Sequence, residues 1–179
     1  MNMKALGILG AAIAMLLVPA APLAAPVRTQ VADCDGPTVA GSGPPNWRQR
    51  SIVAGPLGVF RRPLSHMSKT RSGQLITKMP VIVAGSTPVK LSVPSRLRHR
   101  VFLYYGRYLD RSGKPTTLIG RSRGFSEVVF EPCDYKPQTP WPGGIRVKGR
   151  RAVRLIVRVE GNPDPIPLQL GRPKVYEPR

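Results

Sequence analysis

Arg146, Lys148, Arg154 and Arg158 are the residues whose type and spacing best suit chemistry with a ligand. They stand at even positions in the stretch GGIRVKGRRAVRLIVRVEG, residues 143–161, while Ile145, Val147, Val153, Leu155, Val157 and Val159 hold odd ones. A period of two is that of a half-buried strand, which places the cations on one face and the aliphatic side chains on the other. Two such segments joined by Gly149-Arg150-Arg151 predict a β-hairpin. For the apolar positions of both segments to share a face, paired numbers must sum to an even value. The three-residue loop then sets Lys148 against Ala152 and Arg146 against Arg154. Like charges directly opposite cost less than about 1 kcal/mol on an exposed face. Glu127, Glu131, a bound anion or splaying into solvent could relieve them. The chemistry implied is anion binding, the alternative being a solvated cationic face with no ligand.

Other chemistries find less support. Acid–base catalysis needs paired carboxylates or a partnered histidine. The nine acids are scattered, with only Asp33/Asp35 and Glu127/Glu131 close in sequence. Glu127 and Glu131 share a strand face by parity, and a structural pair meeting arginine is the expectation there. The two histidines are His66, in a loop, and His99, among arginines. No local nucleophile motif, P-loop, dinucleotide fingerprint or zinc spacing is present, so no cofactor or metal is expected. The chain is expected to be non-catalytic, an unrecognised hydrolase being the enzymatic alternative. For nucleic acid, the best stacking platform is Phe102, Tyr104, Tyr105 and Tyr108 after Arg96, Arg98 and Arg100. Alternating aromatics in a strand usually pack in the core, so nucleic acid is disfavoured as a partner.

The N-terminus bears on where any such chemistry takes place. Lys4 precedes an apolar run from Ala5 to Val18, followed by small residues and prolines up to Ala25. This is the layout of a secretory signal peptide, and Val18-Pro19-Ala20 places small residues for cleavage after Ala20. The run, about 14 residues, falls short of the roughly 20 that span a bilayer, so no transmembrane anchor is expected. Export makes Cys34 and Cys133, the only two cysteines, a disulfide pair by count. A metal pair or a reactive thiol would need further ligands or an activating base, and none is visible.

Net charge is +19, from 28 basic and 9 acidic residues, which informs partners and not fold. Outside the cell the anionic candidates are cell-wall polymers, acidic glycans, acidic proteins or lipid headgroups. An arginine-rich proteome would produce the same bias without any ligand.

The elements that must position these groups are short. Segments 51–60, 75–84, 89–93, 101–105, 116–120, 125–131, 145–148, 152–160 and 166–170 read as strands. Gly55-Pro56 is expected to interrupt the first as a bulge or edge. Residues 61–74 read as a surface loop and 132–142 as a turn region. With 21 prolines, long helices are hard to place. The fold class expected is all-β, an immunoglobulin-like β-sandwich of about eight short strands preceded by a signal peptide. The organisation is 1–25 signal peptide, 26–50 extended Pro/Gly-rich lead-in, 51–170 sandwich and 171–179 polar C-terminal tail. In the lead-in, Trp47 is expected to lay its ring over the edge of the core.

Phe130-Glu131-Pro132-Cys133, Thr139-Pro140-Trp141-Pro142-Gly143-Gly144 and the strand from Ala152 to Val159 resemble a pattern in small secreted proteins of actinobacteria. Gly55-Pro56-Leu57 and Pro80-Val81 with Val89-Lys90-Leu91 are similar to the same group, over about residues 45–170. The group has no established activity, so the resemblance implies a secreted β-domain and no catalytic residues. Some members carry cysteines where this chain has Ala152 and Gly171, so their disulfide arrangement does not transfer. The expectation is an exported, non-catalytic domain in or beyond the cell envelope. It would bind anionic cell-wall polymer or an acidic protein through Arg-rich sheet faces, or serve as a structural accessory domain without a charge-specific ligand.

Overall fold

The computed structural model describes residues 25–35, 43–60, 68–69, 73–105, 124–149 and 152–171. The alternation seen in the sequence resolves there into strands of two to seven residues. In chain order they are β1 Thr29–Ala32, β2 Ser51–Ala54, β3 Leu57–Phe60, β4 Ser68–Lys69, β5 Leu75–Lys78, β6 Val81–Ala84 and β7 Val89–Ser92. After these come β8 Val101–Tyr105, β9 Glu127–Phe130, β10 Gln138–Trp141, β11 Gly143–Val147, β12 Val153–Val159 and β13 Ile166–Leu170. One helical turn, α1 Trp47–Arg50, and one 3-10 turn, Ser95–Leu97, complete the elements. The protein is all-β in class. The expected signal peptide and cleavage site, His66, Tyr108, the expected strand at 116–120 and residues 172–179 lie outside the described residues.

Three sheets form. Sheet I has the order β1-β9-β7-β12-β13, sheet II β10-β6-β3-β2 and sheet III β4-β5-β11-β8. Sheets II and III meet along a register that does not change. Trp141 lies opposite Val81 in sheet II, and Gly144 opposite Lys78 in sheet III. Between them the same register sets Gly143 against Met79, joined by a Met79 N–H donating to the Gly143 carbonyl at 2.8 Å, and Pro142 against Pro80. Two facing prolines remove both donors from one rung, so the ladder breaks at that point. Segment 75–84, expected as one strand, is therefore two, β5 and β6. The turn expected at 132–142 ends in β10, which continues across Pro142 into β11.

The inner faces of all three sheets share one core. Val89, Leu91, Val128, Phe130, Leu155, Val157 and Leu168 from sheet I meet Leu57, Val59, Val81, Trp141, Leu103, Tyr105 and Ile145 from the others, all buried. At its centre Phe130 meets Tyr105 edge-on, with centroids 5.1 Å apart, and Trp141 tilted at 5.2 Å. Such pairs contribute about 0.5–1.5 kcal/mol each beyond the area they bury. Their polar ends are satisfied. The Tyr105 hydroxyl donates to the Met79 carbonyl at 2.7 Å, and the Trp141 indole N–H to the Asp33 carbonyl at 3.5 Å.

Several expectations are corrected. Gly55-Pro56 is not a bulge but the two-residue turn of a hairpin that sets Ala54 opposite Leu57, and β2 is an edge strand, the other outcome expected of that proline. Residues 61–74 contain β4, which pairs with β5. The lead-in carries β1, parallel to β9 with Val31 opposite Val129, and α1. Cys34 is bonded to Cys133, 99 residues away, which holds the end of β1 beside the end of β9. Trp47 does more than cover an edge. It is buried, and Gly58 leaves room for it, since a Cβ there would come 2.1 Å from the indole Cζ3. Arg96, Arg98 and Arg100 belong to the 3-10 turn and the turn after it, and β8 starts at Val101, where the sequence becomes strand-like.

The largest correction concerns β11 and β12, which do not form a hairpin. β11 pairs with β5 on one edge and β8 on the other, and β12 with β13 and β7. Each is an interior strand with both edges used, so neither has donors left for the other. The link after Val147 instead takes the chain from sheet III to sheet I. Parity still holds within each strand: Ile145, Val147, Val153, Leu155 and Val157 are all buried.

Candidate functional site

Crossing between sheets divides the four cations expected to act together. Arg154 and Arg158 project from the outer face of sheet I. Arg146 lies on the outer face of sheet III, and Lys148, exposed, follows β11 with its backbone N–H donating to the Arg100 carbonyl at 2.8 Å. The structure does not bring them into one patch. Arg146 has Phe102 and Ile76 as cross-strand neighbours, and Arg154 has Gln169.

The outer face of sheet I is built in rows by its registers. One row runs Thr29–Glu127–Ser92–Ile156–Pro167 and the next Val31–Val129–Lys90–Arg158. Glu127 is the acid that organises them. Its carboxylate accepts from the Thr29 hydroxyl at 3.1 Å and the Ser92 hydroxyl at 3.2 Å, and pairs with the Lys90 ammonium at 3.4 Å. The acid does meet a cation, but lysine rather than arginine. Lys90 sits directly opposite Arg158, so two cations occupy one rung. Arg154 and Arg158 are both exposed, and among the described residues neither joins an ion pair.

A concavity of about 500 Å³ opens beside this rung, lined among others by Lys90, Arg158, Val129, Pro88, Glu131 and Glu160. The ladder continues past β7 and β12 through the Glu160 N–H, which donates to the Pro88 carbonyl at 3.1 Å. Glu160 and Glu131 are therefore on the same face as Arg158 and Val129, one row further along. Glu131 was expected near the arginines only as one candidate counter-charge, and nothing in the sequence joins Lys90 and Glu160 to them on one face. Only the order of β9, β7 and β12 in the sheet does so, although the alternation of Val89-Lys90-Leu91 had already shown that Lys90 faces outward.

Arg146 occupies a different environment. Its guanidinium lies 4.8 Å from the Phe102 ring centroid and 5.4 Å from that of Tyr104, within cation–π range of both. Tyr104 is buried although it faces away from the main core, and Phe102 and Arg146 are half-buried. Gly124 presses against the same rings, where a Cβ would come 2.7 Å from the Phe102 Cβ and 2.8 Å from the Tyr104 Cζ. Burial pushes the Tyr104 phenol above its ordinary 10.0, while the charges of Arg146 and then Arg28 pull it down. Arg28 itself lies over Phe125 at 5.4 Å. The supposed stacking platform is thus split: Tyr105 belongs to the core, and Phe102 and Tyr104 are covered by an arginine of the same chain.

His99 is exposed after the 3-10 turn. Among the described residues no three His, Cys, Asp or Glu side chains are grouped to hold a metal ion, and no helix is long and apolar enough to cross a membrane. No family model, curated protein or solved structure matches the chain.

Proposed function

We propose that this is an exported, non-catalytic β-domain, a two-layered sandwich of the immunoglobulin-like kind, that binds anionic polymer of the cell envelope. The resemblance to secreted actinobacterial β-domains belongs to the same proposal. The supporting observation is Arg158 set opposite Lys90 on an outer sheet face, with Arg154 exposed on the same face of β12. Such a rung carries a repulsion that a phosphate or carboxylate between the two cations would remove. A net charge of +19 would raise the local concentration of any polyanion and speed its encounter. Export accounts for the signal-like N-terminus and is compatible with the Cys34–Cys133 disulfide.

The test is retention of the protein on immobilised polyglycerolphosphate at low and moderate salt, compared with Arg154→Gln/Arg158→Gln. Binding should weaken with salt, and the double variant should elute earlier than the parent. Salt-independent retention, or identical elution of the two proteins, would support a structural accessory domain without a charge-specific ligand.

A further inference from the structure

The charges around the concavity on sheet I are sorted by sign. Lys90 and Arg158 stand on one rung, and Glu131 and Glu160 on the next, flanking Pro88. Successive same-face rows in a strand are two residues apart, about 6–7 Å. Among the described residues, Arg158, Glu131 and Glu160 form no ion pair. Lys90 gives one contact to Glu127 and, as an ammonium with three donors, retains others. Each row also brings one apolar side chain to the concavity, Val129 beside Lys90 and Pro88 between the two glutamates.

We infer that this concavity binds a compact zwitterion: a phosphate group joined by a short methylene link to an ammonium, of the phosphoethanolamine kind, borne on the polymer. The phosphate oxygens accept from Lys90 and Arg158, the ammonium donates to Glu131 and Glu160, and the methylenes rest on Val129 and Pro88. A plain polyanion running along β12 is favoured at Arg154 and Arg158 and then repelled at Glu160. A unit carrying its own amine turns that repulsion into attraction. This assignment rests on the proposed polymer binding and specifies what the polymer carries.

Calorimetric titration of the whole protein with O-phosphoethanolamine and with inorganic phosphate tests it. The net positive charge of the protein favours the more negative inorganic phosphate, so a preference for the zwitterion must come from the local acids. The expected Kd for phosphoethanolamine is at least about tenfold lower than for phosphate. Glu131→Gln/Glu160→Gln should abolish that preference while leaving phosphate binding equal or tighter, and Arg158→Gln should weaken both ligands. Equal affinities in the parent protein, or a preference that survives in the double glutamine variant, would overturn the assignment. If selectivity is lacking while salt-sensitive retention on polyglycerolphosphate persists, the zwitterion site fails and polymer binding stands. If retention does not respond to salt, polymer binding itself fails.

Discussion

On sheet III, Arg146 lies across Phe102 and Tyr104 and is half-buried; on sheet I, Arg154 stands exposed beside Gln169. Both are arginines at even positions in amphipathic strands, eight residues apart in sequence. What separates them is the neighbouring strand. β8 offers β11 two aromatic rings on the outer face, and β13 offers β12 a proline and a glutamine. A guanidinium is weakly hydrated and planar, so it covers aromatic faces readily and then serves packing more than recognition. Beside polar residues it keeps its donors for a ligand. Cationic alternation alone therefore does not define a binding face.

The contrast can be broken at several points. The largest effect should come from the covalent tie on sheet I. Replacing Cys34 and Cys133 by serine should cost on the order of 4–5 kcal/mol, the chain-entropy value for so long a loop. Chemical denaturation measures this, and the loss should include protection of the β1 amides, whose strand ends at the bridge. On the other face, Gly124→Ala forces a Cβ onto Phe102 and Tyr104 at a φ of +65°. Overpacking and backbone strain together predict a loss of about 2–4 kcal/mol in the same assay.

Arginine truncation should then separate the two faces directly. Arg146→Ala removes a stacked, half-buried side chain and should cost about 1–2 kcal/mol. Arg154→Ala should stay within about 0.5 kcal/mol of the parent, as exposed substitutions usually do. Equal costs would erase the distinction between the two faces. The smallest effect concerns pH. Because burial raises the Tyr104 phenol above 10.0, the folded state keeps its proton to higher pH than the unfolded chain. Its contribution to stability is complete below the unfolded value and is lost as pH rises through the folded one. Thermal midpoints of the parent should therefore fall more steeply above pH 10 than those of Tyr104→Phe.

Much of the fold was legible because alternation reports facing. The buried sides of β7, β11, β12 and β13 follow from Val89 and Leu91, Ile145 and Val147, Val153 to Val157, and Leu168 and Leu170. The cysteine pair followed from count and the expectation of export. What alternation does not report is partnership. A two-residue period is the same whether β11 turns back on β12 or crosses to another sheet, so the hairpin and its Arg146–Arg154 rung were misplaced. Pro142 closed the expected turn region and Pro80 was read inside a single strand; that the two face one another and divide one ladder is a fact of register. The site suffers most from this. Lys90, Glu131 and Glu160 come from three different segments and meet only because β7 lies between β9 and β12.

The most direct measurement is binding of polyglycerolphosphate by the parent, Arg146→Gln and Arg154→Gln/Arg158→Gln, titrated side by side at two salt concentrations. Arg146→Gln should bind within about twofold of the parent, whereas the double variant should lose on the order of tenfold and respond less to salt. Equal losses in the two variants, or undiminished binding by the double variant, would contradict the division of this protein into a packing face and a recognition face.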